Sequence, residues 1–253
     1  MPDVKYKPLS IEEEIKKDKE SSTPYILELK SKNKNLICFG IKHSSDFSEK
    51  QFEPLLQFIK KSDAILIETF DVKKEYDNEI KFILSKSENK QIIPCDINII
   101  KAIILVAEKF DGKDVLVLRA LAFLNKKERK IDIKKNILEI IDKIKSEEFF
   151  SEIYKKENLT EESFLQLFEN YFIENNGKKI KDINVDDNIF PSPVENKTNL
   201  NKIIREVSYT RDVYMLKKLK ETMSQFDNIL YVLGKNHIIR QEEIIRQIFE
   251  KEK

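Results

Sequence analysis

Tryptophan is absent from this chain, and histidine, cysteine, methionine and glycine are scarce: two, two, three and four in 253 residues. Each scarcity excludes something. Two cysteines, Cys38 and Cys95, both in apolar stretches, cannot make a disulfide framework, so reduced and buried thiols are expected. No apolar run approaches the roughly 20 residues of a membrane-spanning helix; the longest candidate, Ile99 to Val106, is interrupted by Lys101. Met1-Pro2-Asp3-Val4-Lys5 has no apolar core and leads into Glu12-Glu13-Glu14, which is unlike a signal peptide. Neither sign of charge dominates: 46 basic and 45 acidic residues leave a net charge of +1. Overall electrostatics therefore gives no reason to expect nucleic acid or an anionic membrane as partner. A cytoplasmic location is the simplest expectation, and an effector secreted without a classical signal peptide would have the same features.

What remains is 40% hydrophobic and 36% charged, enough for a sizeable core under a well-solvated surface. Ser10-Ile11-Glu12-Glu13 has the spacing of a capping box and opens a short charged helix. Tyr25 to Leu29 alternates like a strand, Ser31 to Asn35 is a turn, and Leu36 to Phe39 is continuously apolar. The expectation is a hairpin whose second strand is buried on both faces. An amphipathic helix over 48–61, with Pro54 limiting its first turn, precedes a second buried strand, Asp63 to Glu68. A helix over 72–85 and a short strand, Gln91 to Pro94, continue the alternation. Strand, helix, strand, helix, strand implies parallel pairing through helical crossovers.

From about residue 98 to 175 the periodicity is helical throughout, with Thr160 placed to cap one helix. Residues 177–196 carry Pro191 and Pro193 and read as a loop. A long helix over 199–225, a strand over 228–233 and a closing helix over 240–250 complete the chain. The fold class expected is α/β: a mostly parallel central sheet flanked by helices, in one domain spanning 1–253. Residues 98–197 would be a helical insertion or lid in the middle of the chain.

Both histidines stand three residues after a glycine at the end of an apolar strand, in Gly40-Ile41-Lys42-His43 and Gly234-Lys235-Asn236-His237. Glycine there permits the positive φ of a sharp strand-to-loop turn and a close backbone approach. In an open parallel sheet, ligands bind beyond the carboxyl ends of the strands. His43 and His237 lie at such ends, as do Glu68 and Asp96. Two imidazoles and a carboxylate suit Zn²⁺, Mn²⁺, Co²⁺ or Fe²⁺, and a bound ion would activate water near neutral pH.

The same residues have other uses. Glu68 also suits a helix N-cap or an ion pair, and Asp96 suits the start of a helix. Arg211 and Asp212 fit a solvated helix face on spacing alone, or an arginine that reaches the site to bind a carboxylate or an oxyanion. Ser44, Ser45 and Asp46, next to His43, suit either a ligand contact or a turn cap. Cys95 fits a small buried filler better than a nucleophile.

In their order along the chain, the two Gly-x-x-His motifs, Ile65-Leu66-Ile67-Glu68 and Arg211-Asp212 resemble the TraB/Tiki family, within a broader group that includes erythromycin esterases and ChaN-like haem-binding proteins. The resemblance covers about residues 24–100 and 200–250. It implies a metal-dependent, peptidase-like hydrolase, with His43, His237 and Glu68 as metal ligands and Glu68 and Arg211 as catalytic groups. From the residues themselves, Ser44, Asp96 and Arg211 are the candidates to face the substrate, a peptide or small molecule. Lys42 departs from the threonine that often precedes the family's first motif histidine, and Lys235-Asn236 departs from small residues in the second motif. The alternatives are a metal-independent esterase, with a histidine as general base, and a non-enzymatic haem-binding, metal-binding or regulatory protein. A homodimer is compatible with each.

Overall fold

The computed structural model describes residues 6–41, 49–69, 78–124, 133–177, 179 and 190–252. The chain forms two compact units, Met1–Ile97 with Arg211–Lys253, and Asn98–Thr210.

The first unit is an α/β sheet. Helix α1 (Ile11–Glu20) opens on the expected capping box: the Ser10 hydroxyl accepts from Glu13 N–H, and the Glu13 carboxylate accepts from Ser10 N–H. Strands β1 (Tyr25–Lys30) and β2 (Asn35–Ile41) form the expected antiparallel hairpin, with Tyr25 opposite Gly40 and Lys30 opposite Asn35. Helix α2 (Glu49–Lys61), strand β3 (Ala64–Ile67), helix α3 (Asn78–Lys86) and strand β4 (Gln91–Pro94) come next. Helix α2 runs through Pro54 rather than being limited by it. The unit closes with the second part of helix α9 (Asn199–Met223), strand β5 (Asn228–Gly234) and helix α10 (Lys235–Glu252).

The sheet order is β1-β2-β5-β3-β4. Strand β5 pairs in parallel with β2 on one side and β3 on the other, so the last strand in sequence is the central one. Its residues suit that place: Ile229, Leu230, Tyr231, Val232 and Leu233 are all buried. Alternation along the strands divides their side chains between two cores. Leu36, Cys38, Leu66, Ile229, Tyr231 and Leu233 pack with Met215 and Leu219 of α9 and Ile245 and Phe249 of α10. Ile37, Phe39, Ile65, Ile67, Leu230 and Val232 pack with Leu55 and Ile59 of α2 and Ile83 of α3.

Two further details differ from the sequence reading. None of Gly40, Gly112 and Gly234 has a positive φ; Gly177 does, at φ 68, where it ends helix α8 (Glu161–Asn176). The demand for glycine at position 40 is space, since a Cβ there would lie 3.0 Å from the Lys235 Cα and 3.1 Å from the Tyr25 Cβ. And α10 begins directly after Gly234, so His237 stands in a helix and not on a loop.

The second unit is helical: α4 (Ile99–Val106), α5 (Gly112–Leu124), α6 (Ile133–Ser146), α7 (Glu148–Lys156), α8 and the first part of α9. Thr160 caps α8 as expected. Tyr154, Phe164, Phe168 and Phe172 form a run of ring contacts in its interior. Among the described residues no helix is long and apolar enough to cross a membrane.

Candidate functional site

Three parallel strands end at one edge, and each delivers a polar residue there. Glu68 directly follows β3, and its N–H donates to the Val232 carbonyl of β5 at 3.2 Å. Asp96 lies just past β4, where the Cys95 and Asp96 N–H groups donate to the Ile67 and Thr69 carbonyls at 3.0 and 3.1 Å. These bonds continue the β3–β4 ladder past the strand ends and so fix where the two carboxylates emerge. His237 enters from β5 through Gly234 and lies in the first turn of α10. His43 and Ser44, with Ser45 and Asp46, lie outside the described residues.

Arg211 of α9 ties the carboxylates together. Its Nη2 donates to Asp96 Oδ2 at 2.6 Å and to Glu68 Oε1 at 2.8 Å, and its Nε donates to Asp96 Oδ1 at 3.0 Å. The other Glu68 oxygen, Oε2, accepts the Gly234 N–H at 2.6 Å. A carboxylate at the first turn of α10 also meets the positive end of the helix dipole. The solvated-face reading of Arg211 therefore does not hold: its side chain is 19% exposed and lies against two acidic groups. The two carboxylates hold its guanidinium pKa above the ordinary value, against the opposing effect of burial. Asp96 does not cap α4; Asn98 does, accepting the Ile100 N–H at 2.8 Å.

Behind these groups lies a second, deeper set. The Asp212 carboxylate has no exposed surface. His237 Nδ1 lies 2.5 Å from its Oδ1, and Gln241 Nε2 donates to the same oxygen at 2.8 Å. Its Oδ2 accepts from Arg240 Nε at 2.7 Å and from the Tyr6 hydroxyl at 2.9 Å. Arg240 in turn donates from Nη1 to Glu14 Oε1 at 2.9 Å, and Gln241 Oε1 accepts from the Tyr231 hydroxyl at 2.9 Å. A continuous polar chain runs from Glu14 through Arg240, Asp212 and His237 to Glu68, Arg211 and Asp96.

His237 is the hinge of this chain. Its Nδ1 faces Asp212 and its Nε2 lies 3.3 Å from Glu68 Oε1. A carboxylate at each nitrogen favours the imidazolium form, which donates from both, while the Arg240 Nη2 at 2.9 Å from Nδ1 works against it. Burial alone would lower the His237 pKa; Glu68 and Asp212 outweigh it, Arg240 opposes them, and the net effect is a rise. For Asp212, burial would raise the pKa, but Arg240 and His237 hold it well below the usual carboxylate range. Cys95 is no nucleophile here: burial pushes its thiol far up, and its Sγ donates to the Ile67 carbonyl at 3.1 Å.

The structure thus brings together Glu68, Asp96, Arg211 and His237 of the expected residues, in one unit. For a divalent metal it places two of the expected donors, His237 Nε2 and Glu68, beside each other. Both already have partners, and Arg211 supplies a positive charge between the carboxylates. Among the described residues no group of three histidine, cysteine or acidic side chains is placed to hold an ion. The described residues by themselves do not make a metal shell.

Arg240, Gln241, Glu14, Tyr6 and Tyr231 were not foreseen. The first two carried a signal: they stand three and four residues after His237, the spacing that stacks side chains on one helical face. Glu14 and Tyr6 carried none, since their partners lie more than 200 residues away.

Compared with protein-family models, curated proteins and solved structures, the chain matches none.

Proposed function

We propose that this chain is a hydrolase of ester or amide bonds that works at the carboxyl edge of its sheet, with Glu68 and His237 as the proton-transferring pair. One observation carries the reading: the His237 ring is held between two carboxylates, Asp212 at Nδ1 and Glu68 at Nε2. A buried carboxylate behind an imidazole fixes its orientation and tautomer, and the outward nitrogen then works on the substrate. Glu68 takes a proton from water as the water oxygen attacks the carbonyl carbon. The bond to the leaving oxygen or nitrogen breaks, and His237 gives that atom its Nε2 proton. The Arg211 guanidinium stabilises the negative charge that develops on the carbonyl oxygen. Asp96 holds Arg211 in place, and a peptide or a small ester is the substrate. The motif order that resembles the TraB/Tiki family, carried by these same residues, is in keeping with hydrolysis.

A metal-dependent form of the same reading has its own support. An imidazole whose Nδ1–H is held by a carboxylate is also the arrangement of a metal-ligating histidine. His43, Glu68 and His237 would hold the ion, and Mn²⁺, Co²⁺, Zn²⁺ or Fe²⁺ would supply an activated water.

The test is hydrolysis of 4-nitrophenyl acetate and of a fluorogenic peptide mixture by purified protein, before and after dialysis against EDTA, with metal content measured alongside. The metal-independent form expects activity that survives EDTA and is lost in His237→Ala and Glu68→Gln. Stoichiometric metal, with activity that leaves and returns with it, establishes the metal-dependent form instead; His43→Ala and His237→Ala then lose the ion. Arg211→Ala lowers turnover in either form and leaves metal content unchanged. Absence of hydrolysis, together with a Soret band on adding haem, overturns the hydrolase reading in favour of a binding role.

A further inference from the structure

Residues 6–21 are tied to the site from behind at three places. The Tyr6 hydroxyl donates to Asp212 Oδ2 at 2.9 Å. Glu14, in the middle of α1, accepts from Arg240 Nη1 at 2.9 Å, and the side chains of this pair are each 2% exposed. At the far end of α1, Lys235 Nζ donates to the Asp18 and Ser21 carbonyls at 2.8 and 3.0 Å and meets the Asp18 carboxylate at 3.0 Å. A cation on the carbonyl end of a helix is favourable twice over, through hydrogen bonds and through the helix dipole. Lys235 is one of the two residues by which the second Gly-x-x-His motif departs from the family pattern. Here it docks α1 against the first turn of α10, two residues before His237.

We propose that Tyr6 and Glu14 are positioning residues for His237, acting through Asp212 and Arg240; this rests on the hydrolase reading of the site. Asp212 can orient the imidazole only if its own carboxylate plane is set. Of the groups that set it, the Tyr6 hydroxyl belongs to this segment and Arg240 is held by it. The guanidinium is a rigid planar fork, so fixing its Nη1 edge on Glu14 fixes the angle at which its Nε meets Asp212. Gln241, held by Tyr231, sets the other oxygen. Arg240 also reaches Oδ1 from Nη2 at 3.4 Å and approaches His237 Nδ1 itself at 2.9 Å, so the hold of Glu14 on the guanidinium bears on the ring both through Asp212 and directly.

The test uses the full chain carrying His43→Gln, which leaves His237 as the single imidazole in long-range ¹H–¹⁵N spectra. Tyr6→Phe removes one hydroxyl, and Glu14→Gln removes one charge at nearly constant volume. Thr160→Ala is the control, because it removes the α8 cap in the other unit. The expected result is that Tyr6→Phe and Glu14→Gln, folded by circular dichroism, each move the His237 Nδ1 resonance and weaken its protected proton, while Thr160→Ala moves neither. Hydrolysis of 4-nitrophenyl acetate by the same variants, made with His43 intact, should show kcat reduced roughly ten- to a hundredfold with KM little changed, the scale of a small misplacement of a reacting group. Glu14→Asp should restore part of it. Ring spectra of Tyr6→Phe identical to the parent's would overturn the proposal, and that variant decides it if Glu14→Gln does not fold. A parent that hydrolyses neither ester nor peptide removes the hydrolase reading and leaves the spectra to decide the positioning.

Discussion

The Asp212 carboxylate, without exposed surface, lies 2.5 Å from the Nδ1 of His237 and holds a ring whose other nitrogen faces Glu68. The pair has a definite dependence on pH. His237 has a raised pKa when folded, so its contribution to stability is complete below about 6.5, the ordinary imidazole value, and is lost as pH rises through the higher folded value. Asp212 has a lowered pKa, so its contribution is complete above about 3.9 and is lost as pH falls through the folded value, which lies well below. The urea midpoint of the parent should therefore exceed that of His237→Gln by the widest margin between about pH 4 and 6.5, and the margin should close toward alkaline pH. A margin that grows with pH contradicts the imidazolium.

Arg240 is the other half of that arrangement, and its loss is costly. Arg240→Met would leave the Asp212 and Glu14 carboxylates buried without their shared cation. Removing one partner of a buried pair costs about 3–5 kcal/mol, because an uncompensated charge stays behind. Lys109→Met, which cuts an ion pair to Glu206 with side chains 62% and 38% exposed, should cost no more than about 1 kcal/mol. Urea denaturation of the two variants compares them directly, and similar losses would mean that the Arg240 pairs are not buried as described.

Gly40→Ala should destabilise the sheet by about 1–3 kcal/mol, the usual range for overpacking. The new methyl would press on the Lys235 backbone, which cannot swing away as a flexible side chain would. Because Lys235 is the first residue of α10, the displacement should also reach His237. A thermal melt that matches the parent's would show that α10 yields without cost.

Cys38 and Cys95 should both resist a water-soluble disulfide reagent in the native protein and react promptly in denaturant. Both are fully buried, and burial holds both thiols far from ionising. Rapid native labelling of either would require its strand to open.

Much of the sheet was readable because its signals are local. The hairpin, the buried strands β2, β3 and β5 and the helical run after Asn98 arise from apolar periodicity and from caps such as Ser10 and Thr160, all within a few residues. The convergence of Glu68, Asp96 and His237 came from one general property of parallel sheets: residues just past the carboxyl end of each strand gather at a single edge. The periodicity of α9 could not say where Arg211 points. A helical face reads as solvated until something acidic is known to stand opposite.

The residue order alone thus determined which segments are strands, that the first two form a hairpin, and which polar groups leave the strand ends, since alternation and strand ends are properties of short stretches of chain. Folding decided the rest: that β5 takes the centre, that α10 starts without a loop, and that Glu14, Arg240 and Asp212 meet behind His237. Tyr6 and Glu14 find their partners more than 200 residues away. These contacts exist because burying opposite charges together costs far less than burying any one of them alone, and no local pattern records which partners that requirement brings together.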